Sequence, residues 1–174
     1  MPEEKIVVLM GSPRDFHFAS KIKAFLKKEK FPVDCIYNVA SAHRTPEKLL
    51  NDLKENENNA GSIVYVTVAG LSDALSGIVA GYTRFPVIAC PPDSDKYEGA
   101  KVFSSTAMPK GIPVAYIAKP ENAALAAIRI FALTNPELKE QLKKFKQKME
   151  KDVYKDAEEV KKITQKRDVN KLAV

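Results

Sequence analysis

Five short apolar runs punctuate the first 118 residues of the chain. They occupy residues 5–10, 33–39, 62–68, 86–90 and 114–118. The first run ends at a glycine and the fourth at a pair of prolines, and the runs are rich in Val, Ile and Ala, which is typical of strands buried on both faces. The pattern therefore predicts five strands.

The segments between these runs carry apolar residues at helical spacing. The first two segments place them on one face each: Phe18, Ile22, Phe25 and Leu26, and then Leu49, Leu50 and Leu53. His17 lies off the first face and is expected in solvent. A third helix is predicted to end near Tyr82, and residues 121–133 form an alanine-rich helix whose small face suits packing against another subunit. Polar loops are predicted at residues 93–99, as a mobile flap, and at residues 104–111.

Strands that alternate with helices predict a parallel sheet covered on both faces, here a flavodoxin-like three-layer α/β sandwich. We assign this domain to residues 1–135 and a long helical extension to residues 136–174. Loops at residues 11–15, 40–44 and 69–74 leave the carboxyl ends of the first three strands. Ligands bind at those ends where the strand order reverses, so the three loops are expected to converge on a ligand site.

The second loop, which reads Ser-Ala-His-Arg-Thr-Pro, has the most distinctive chemistry. Ser41 supplies a hydroxyl, Arg44 a planar fork of donors that suits a phosphate, and His43 a side chain of the type that titrates near neutrality. Thr45 is placed to cap a helix that begins at Pro46, where backbone amides favour an anion. The alternative is an ordinary surface turn whose histidine has no role.

The first and third loops contain small and polar residues that suit a ligand. Ser12 and Asp15 follow a glycine turn, and Gly70 and Ser72 lie in a loop whose backbone amides can approach a ligand closely. Ser12, Pro13 and Asp15 equally match a capping box, which needs no ligand.

Composition favours a globular cytoplasmic protein. The 174 residues, 45% of them hydrophobic, are enough for one domain with a sizeable core. The first ten residues lack a basic leader or cleavage-like site, and no apolar run reaches membrane-spanning length, so no membrane partner is expected. Cys35 and Cys90 lack CxxC spacing, which is typical of buried thiols in a reducing compartment.

The net charge of +6 raises the question of nucleic-acid binding. Residues 137–171 contain twelve Lys and Arg and eight Asp and Glu, a net charge of +4 that leaves only +2 for the rest of the chain. Acidic and basic residues alternate there, as on a solvated helix, whereas a nucleic-acid surface favours a basic patch on a folded face with interleaved aromatics. No nucleic-acid partner is expected.

Six motifs follow one another along the chain: Gly-Ser-x-x-Asp, Ser-Ala-His-Arg-Thr-Pro, Ala-Gly-x-Ser-x-Ala-Leu-Ser-Gly, Ile-Ala-Cys-Pro-Pro, Met-Pro-x-Gly and Asn-Ala-Ala-Leu. In this order they resemble the phosphoribosylaminoimidazole carboxylase family of purine biosynthesis. The match runs from residue 5 to about residue 135, and six ordered motifs are far more specific than any one alone. A nonenzymatic flavodoxin-like nucleotide-binding domain, which would share the loop positions, is the alternative outside this family.

The third loop separates two reaction classes of that family. Mutases, which move a carboxylate from N5-carboxyaminoimidazole ribonucleotide to ring carbon C4, resemble Ala-Gly-Gly-Ala-Ala-His-Leu-Pro-Gly, and Ala74 stands where their histidine stands. Direct carboxylases, which add carbon dioxide to 5-aminoimidazole ribonucleotide (AIR), resemble Ala-Gly-Arg-Ser-Asn-Ala-Leu-Ser-Gly and fit better, although Leu71 replaces Arg and Asp73 replaces Asn. Arg14 is interpreted as partly restoring the charge lost at position 71. The resemblance therefore implies direct carboxylation, with the mutase as the alternative.

The same resemblance implies the roles of the loop residues. His43 is the catalytic general acid and base, which takes the C4 proton and returns it in the reverse direction. The substrate-binding residues are Ser12, Ser41 and Arg44 for the 5′-phosphate, Asp15 for the ribose hydroxyls, and Gly70 and Ser72 beside them. No cofactor is implied, since the chain has no GxGxxG or GxxxxGK[ST] motif and no ligand spacing for a metal.

A second apolar stripe begins beyond Pro136. Its members recur every three or four residues: Leu138, Leu142, Phe145, Met149, Val153, Ala157, Val160 and Ile163. A stripe of this length needs a partner, either the chain's own domain or a neighbouring subunit. The resemblance favours the neighbour, because it implies a symmetric homo-oligomer, a tetramer or octamer, with active sites at subunit contacts.

Overall fold

The computed structural model describes residues 4–58, 61–92 and 96–172. Its strands are β1 Glu4–Met10, β2 Asp34–Val39, β3 Ser62–Val68, β4 Val87–Ala89 and β5 Ala115–Tyr116. Its α-helices are α1 Phe16–Lys28, α2 Pro46–Asn58, α3 Ala74–Tyr82, α4 Phe103–Thr106, α5 Pro120–Phe131 and α6 Pro136–Leu172. Two 3-10 helices, Pro13–Asp15 and Lys96–Val102, lie between them.

All five strands pair in parallel, in the order β2-β1-β3-β4-β5. Ile6 of β1 lies opposite Cys35 of β2 on one side and Val64 of β3 on the other. This is the flavodoxin-like order, whose reversal point lies between β1 and β3. The predicted α/β sandwich with a central parallel sheet is therefore confirmed.

Side chains of β1 alternate between two apolar layers. Ile6 and Val8 pack with α1 and α5, whereas Val7 and Leu9 pack with α2 and α3. All four are fully buried, because helices cover both faces of the sheet. The first predicted helical face is confirmed, and His17 is exposed as expected.

The alanine-rich helix packs into the core of its own chain. Ala123, Ala124 and Ala127 of α5 are fully buried in the layer that contains α1, so their face is not available to another subunit. The interpretation of this face as a subunit contact is therefore wrong. Small side chains let α5 approach α1 and the sheet closely.

Two further predictions need correction. Leu50 is 39% exposed, while Leu49 and Leu53 are fully buried, because residues four apart share a helix face and the next residue along is turned by about 100°. Residues 103–106 form α4 rather than a loop, and Lys96–Val102 form a 3-10 helix. The other part of the predicted flap, residues 93–95, lies outside the described residues.

The long helix α6 divides into two parts. Its first turns pack on the domain: Leu138 is buried, and the Phe145 ring lies 5.8 Å from that of Phe25 and 5.9 Å from that of Phe31. The Lys148 ammonium then contacts the Glu29 carboxylate at 2.8 Å. Beyond this point the apolar side chains are exposed: Met149, Val153, Tyr154, Val160 and Ile163.

No helix within the described ranges is long and apolar enough to cross a membrane.

The division of α6 predicts different costs for two substitutions on the same helix. Phe145→Ala should lower the free energy of unfolding by about 2 kcal/mol, less than the roughly 3 to 5 kcal/mol of a fully buried Phe, because the ring is half-buried. Val153→Ala should change it by no more than about 0.5 kcal/mol, since Val153 is 65% exposed. Urea unfolding of both variants measures the difference, and equal losses would contradict the packing described for α6.

Candidate functional site

The loops that follow β1, β2 and β3 lie together at one edge of the sheet. The Gly11 amide donates to the Val68 carbonyl at 3.0 Å, and the Ala40 amide donates to the Met10 carbonyl at 3.0 Å. These bonds extend the sheet by one residue into the first and second loops. The predicted convergence of the three loops is therefore confirmed.

The second loop is closed by Ser41 and Thr45 bonding to each other. The Ser41 amide donates to Thr45 Oγ1 at 2.9 Å, and the Thr45 amide donates to the Ser41 carbonyl at 2.8 Å. Thr45 directly precedes α2, which begins at Pro46 as predicted, and the two bonds hold it against the loop. The result is a rigid turn that presents His43 and Arg44 to solvent.

Arg44 connects the second loop to the first. Its guanidinium Nη2 lies 3.4 Å from the Gly11 carbonyl oxygen, its Nε lies 3.5 Å from Ser41 Oγ, and its backbone amide donates to the same Oγ at 3.2 Å. An exposed guanidinium beside a serine hydroxyl, close to the N-terminus of α2, suits a phosphate.

The first loop contains the predicted cap. Ser12 precedes the 3-10 helix with Pro13 at its first position, and its hydroxyl accepts from the Arg14 amide at 3.3 Å. Ser12 thus caps this 3-10 helix, whereas the N-cap of α1 is Asp15, whose side chain makes no cap hydrogen bond, so the predicted capping box is not formed. The bond to Arg14 leaves the other side of the Ser12 oxygen available, because a hydroxyl can accept twice and donate once.

Asp15 faces the third loop. It is 9% exposed, and a Cβ built on Gly70 would lie 2.9 Å from its Oδ1 atom and 3.8 Å from Pro92 Cγ. Only glycine lets the first and third loops approach this closely without displacing the carboxylate. Asp15 and Gly70, two of the predicted site residues, are therefore neighbours.

Asp73 is a buried acid of the third loop that the sequence analysis did not assign to the site. It is 3% exposed and caps α3: Oδ1 accepts from the Ser76 amide at 3.0 Å, and Oδ2 accepts from the Ser76 hydroxyl at 2.5 Å. Oδ2 also accepts from the Ser105 hydroxyl of α4 at 2.6 Å. The spacing of an Asp before a helix and a Ser three residues later is a local capping signal, whereas Ser105 has no local signal of this contact.

These contacts belong to a larger group of buried and partly buried polar residues. We use the name Asp73 network for Thr67, Asp73, Ser76, Ser104 and Ser105. Thr67 Oγ1 lies 2.6 Å from Ser76 Oγ, and the Asp73 amide donates to Ser104 Oγ at 3.0 Å. The network therefore joins β3, the third loop and α4 through short hydrogen bonds that burial strengthens.

A cleft of about 560 Å³ adjoins the third loop. It is lined by Leu71, Ser72, Ala100, Lys101, Phe103 and Ser104. Lys101 is 7% exposed and donates to the Pro92 carbonyl. The cation that lines this cleft is therefore Lys101, not Arg14, so the assignment of Arg14 as the replacement for a charge at position 71 is not supported.

Both cysteines are buried free thiols, as predicted. Burial raises the pKa of Cys90 from 9.0 to about 12 and that of Cys35 from 9.0 to about 11, so both stay protonated near neutrality. A protonated thiol is a poor nucleophile and a poor metal ligand. Within the described ranges, no group of three or more His, Cys, Asp and Glu is placed to hold a metal ion.

The structure thus divides the predicted site residues into three neighbouring sets. Ser41 and Arg44 lie with the Gly11 backbone, and His43 is exposed between them in sequence. Asp15 lies against Gly70, and Ser72 lines the cleft beyond it. Chemically, the edge offers an anion site, an accessible imidazole and a wall of small residues.

Comparisons with known proteins agree on one family. The AIR carboxylase family profile matches residues 5–152. The phosphoribosylaminoimidazole carboxylase of Archaeoglobus fulgidus is 44% identical over 156 residues, which cover 90% of this chain and 84% of that protein. The N5-carboxyaminoimidazole ribonucleotide mutase of Methanocaldococcus jannaschii is 40% identical over 161 residues, which cover 91% of this chain and 98% of that protein. The crystal structure of Treponema denticola PurE matches with a TM-score of 0.84 at 38% identity, over 88% of this chain and 96% of that one.

Proposed function

Since this chain belongs to the AIR carboxylase family, we propose that it carboxylates AIR at ring carbon C4 with carbon dioxide, reversibly, to give 4-carboxy-AIR. The reaction belongs to purine biosynthesis, and we place it in the cytoplasm. Because this family consists of enzymes, a nonenzymatic nucleotide-binding role is not needed to explain the loops.

Ser76 is the observation that carries the choice of direct carboxylase. Both its backbone amide and its hydroxyl donate to the Asp73 carboxylate. The mutase pattern has proline at this position, which has neither an amide hydrogen nor a hydroxyl, and alanine at position 73, so that pattern contains neither the buried carboxylate nor its two donors. The direct-carboxylase pattern has serine here, and Ala74 replaces the mutase histidine. The third loop of this chain is therefore built for the direct pattern.

The mutase is the second candidate, on the strength of one observation. The Methanocaldococcus jannaschii relative, named an N5-carboxyaminoimidazole ribonucleotide mutase, is 40% identical over 98% of its own length. A mutase would use the same ribonucleotide site, so the two candidates differ in the source of the carboxylate rather than in the phosphate contacts.

The ribonucleotide would bind across the converged loops. Arg44, Ser41 and Ser12 would hold its 5′-phosphate, because they combine a guanidinium with two hydroxyls. Asp15 would accept hydrogen bonds from the ribose hydroxyls. Gly70 and Ser72 would lie along the ring, where the absence of a side chain at Gly70 lets the third loop approach Asp15 closely.

The proposed chemistry needs a proton acceptor and a positioned ring. C4 of AIR is an enamine-like nucleophile, so its electron pair forms the new C4–carbon bond as one C=O bond of carbon dioxide opens to a carboxylate. His43 then removes the C4 proton, and the electrons of the broken C–H bond restore the aromatic ring. In the reverse direction His43 returns the proton to C4, and carbon dioxide leaves. Positioning of the ring and exclusion of water lower the barrier to the first step.

A homo-oligomer, a tetramer or octamer, completes the proposal. The outer part of α6, from Met149 to Ile163, exposes five apolar side chains of the predicted stripe. We assign this outer stripe to a second copy of the chain, while the inner part of α6 packs on its own domain as described above. Residues 136–174 would thus act as an extension that joins subunits.

The assay that tests the function supplies AIR and follows the ultraviolet absorbance of 4-carboxy-AIR as dissolved carbon dioxide is varied. A direct carboxylase should form product from AIR at a rate that rises with carbon dioxide. The parallel arm supplies N5-carboxyaminoimidazole ribonucleotide in buffer free of carbon dioxide. Rapid conversion in that arm, with none from AIR, would assign the mutase instead.

The proposed role of His43 predicts a loss of turnover without a loss of binding. His43→Asn should abolish conversion of AIR, because an amide cannot take the C4 proton, yet change ribonucleotide affinity by no more than about tenfold, or about 1.4 kcal/mol. His17→Asn is the matched control, since His17 is the other histidine and is exposed on α1, and it should turn over like the wild type. Turnover by His43→Asn close to that of the wild type would exclude the mechanism.

The outer stripe of α6 predicts a link between assembly and activity. Truncation after Lys148 keeps Leu138, Phe145 and the contact of Lys148 with Glu29, so the domain should stay folded while the oligomeric state and the activity fall together. Light scattering measures the oligomeric state, and the AIR assay measures the activity.

The double variant Val153→Glu with Val160→Glu should act in the same way as the truncation. The control, Lys151→Glu with Lys162→Glu on the same part of the helix, should not. An unchanged, fully active assembly after truncation would show that the stripe has another role.

A further inference from the structure

The Asp73 carboxylate has no part in the reaction proposed above, yet it is a buried acid with several hydrogen-bond donors. It accepts three hydrogen bonds, from the Ser76 amide, the Ser76 hydroxyl and the Ser105 hydroxyl. Burying a carboxylate is costly unless donors compensate for the lost water. A buried acid with this many donors therefore points to a structural task.

That task concerns the two walls of the cleft beside the third loop. One wall consists of Leu71 and Ser72, which directly precede Asp73 in the chain. The other wall consists of residues 100, 101, 103 and 104, which directly precede Ser105. The bond from Ser105 to Asp73 therefore ties one wall to the other across 32 residues of sequence.

A second bond acts between the same two walls. The Asp73 amide donates to Ser104 Oγ at 3.0 Å, and the Ser104 hydroxyl in turn donates to the Lys101 carbonyl at 2.9 Å. Lys101 then donates to the Pro92 carbonyl, and Pro92 lies against Gly70. The position of α4 is thus linked to Gly70 and Ser72, the two third-loop residues assigned to the substrate.

We propose that Asp73 is a positioning residue that sets the separation of the two cleft walls, through Ser105, and thereby the grip of the third loop on the ribonucleotide. The effect on substrate rests on the proposed function, whereas the tether between the walls does not. Asp73 and Ser105 are 3% and 1% exposed, so both act through the walls and not by touching the substrate.

The hydrogen-bond directions explain which substitution the network tolerates. An ionised Asp73 only accepts, so Ser76 and Ser105 each give it their one hydroxyl hydrogen, and Ser76 Oγ accepts from Thr67. An asparagine amide would donate to both serine oxygens, Ser76 would then donate to Thr67, and Thr67 would donate to the Ile88 carbonyl, which lies 3.3 Å away. Asp73→Asn therefore keeps all three bonds, because its Oδ1 still accepts from the Ser76 amide while the bonds to the two serine hydroxyls reverse direction. Asp73→Ala removes all three.

The test compares two variants that each remove one hydroxyl from the Asp73 network. Ser105→Ala removes the side-chain bond between the walls and leaves only the bond from the Asp73 amide to Ser104, whereas Thr67→Val cuts a bond between β3 and α3 and leaves both wall bonds in place. Both should lower the melting temperature to a similar extent. Ser105→Ala should raise the KM for AIR about fivefold or more with kcat changed by less than about twofold, and Thr67→Val should leave both near the wild-type values. If Thr67→Val raises KM as much as Ser105→Ala, or if neither raises it, Asp73 does not position the substrate.

Hydrogen exchange measures, in the absence of substrate, how firmly the bond from Ser105 to Asp73 holds α4. The amides of residues 103–106 should exchange at least about tenfold faster in Ser105→Ala than in Thr67→Val, because α4 opens more often once its bond to Asp73 is lost. Equal exchange in the two variants would overturn the tether. If the wild type fails to convert AIR, the proposed function fails, and this comparison alone decides whether Asp73 holds the two walls together.

Asp73 itself supplies the rescue. Asp73→Ala should raise the KM for AIR about tenfold or more, and Asp73→Asn should keep it within about threefold of the wild type, since the amide can satisfy the same three groups. If the KM of Asp73→Asn were as high as that of Asp73→Ala, the role of the hydrogen-bond network would be overturned, and the negative charge of Asp73 would explain the effect instead. Should Asp73→Ala fail to fold, Asp73→Asn and Ser105→Ala still decide the question.

Discussion

The pairing of β1 between β2 and β3 is the constraint on which the rest of the molecule depends. The central residues of β1, from Ile6 to Leu9, are fully buried, and burying each such aliphatic side chain contributes roughly 1.5 to 3 kcal/mol. Met10, at the end of β1, lies opposite Val39 on one side and Val68 on the other. The three strands therefore end at the same level, and their loops leave the sheet within contact of one another.

The loops at this edge are stabilised in different ways, and the difference suits the proposed reaction. The Asp73 network anchors the third loop to β3 and α4, so this loop forms a rigid wall of the cleft. The second loop is held by the bond from the Ala40 amide to the Met10 carbonyl, by contacts within itself and by Arg44 reaching the first loop, and it leaves His43 in solvent. A rigid wall positions a ring, whereas an accessible imidazole can exchange its proton with water between turnovers.

The helix α6 carries one continuous apolar pattern whose two parts differ in burial. Its apolar stripe is continuous, but only the inner part meets the aromatic rings of Phe25 and Phe31. The outer part extends past the domain with the same spacing and no cover from the described residues of the chain. Continuous spacing with interrupted burial fits a helix that leaves its own domain for another copy.

The sequence by itself determined the features that depend on local patterns. Apolar runs located β1 and β3 to within a residue, since a strand buried on both faces has no polar side to conceal it, and the proline at 46 marked the start of α2. Tertiary structure alone decided the contacts between distant positions: the bond from Ser105 to Asp73, the place of Lys101 in the cleft, and the burial of the α5 alanines against α1. A serine that ties two walls has the same local signature as a serine in a loop, because its partner lies 32 residues away and only folding brings the two together.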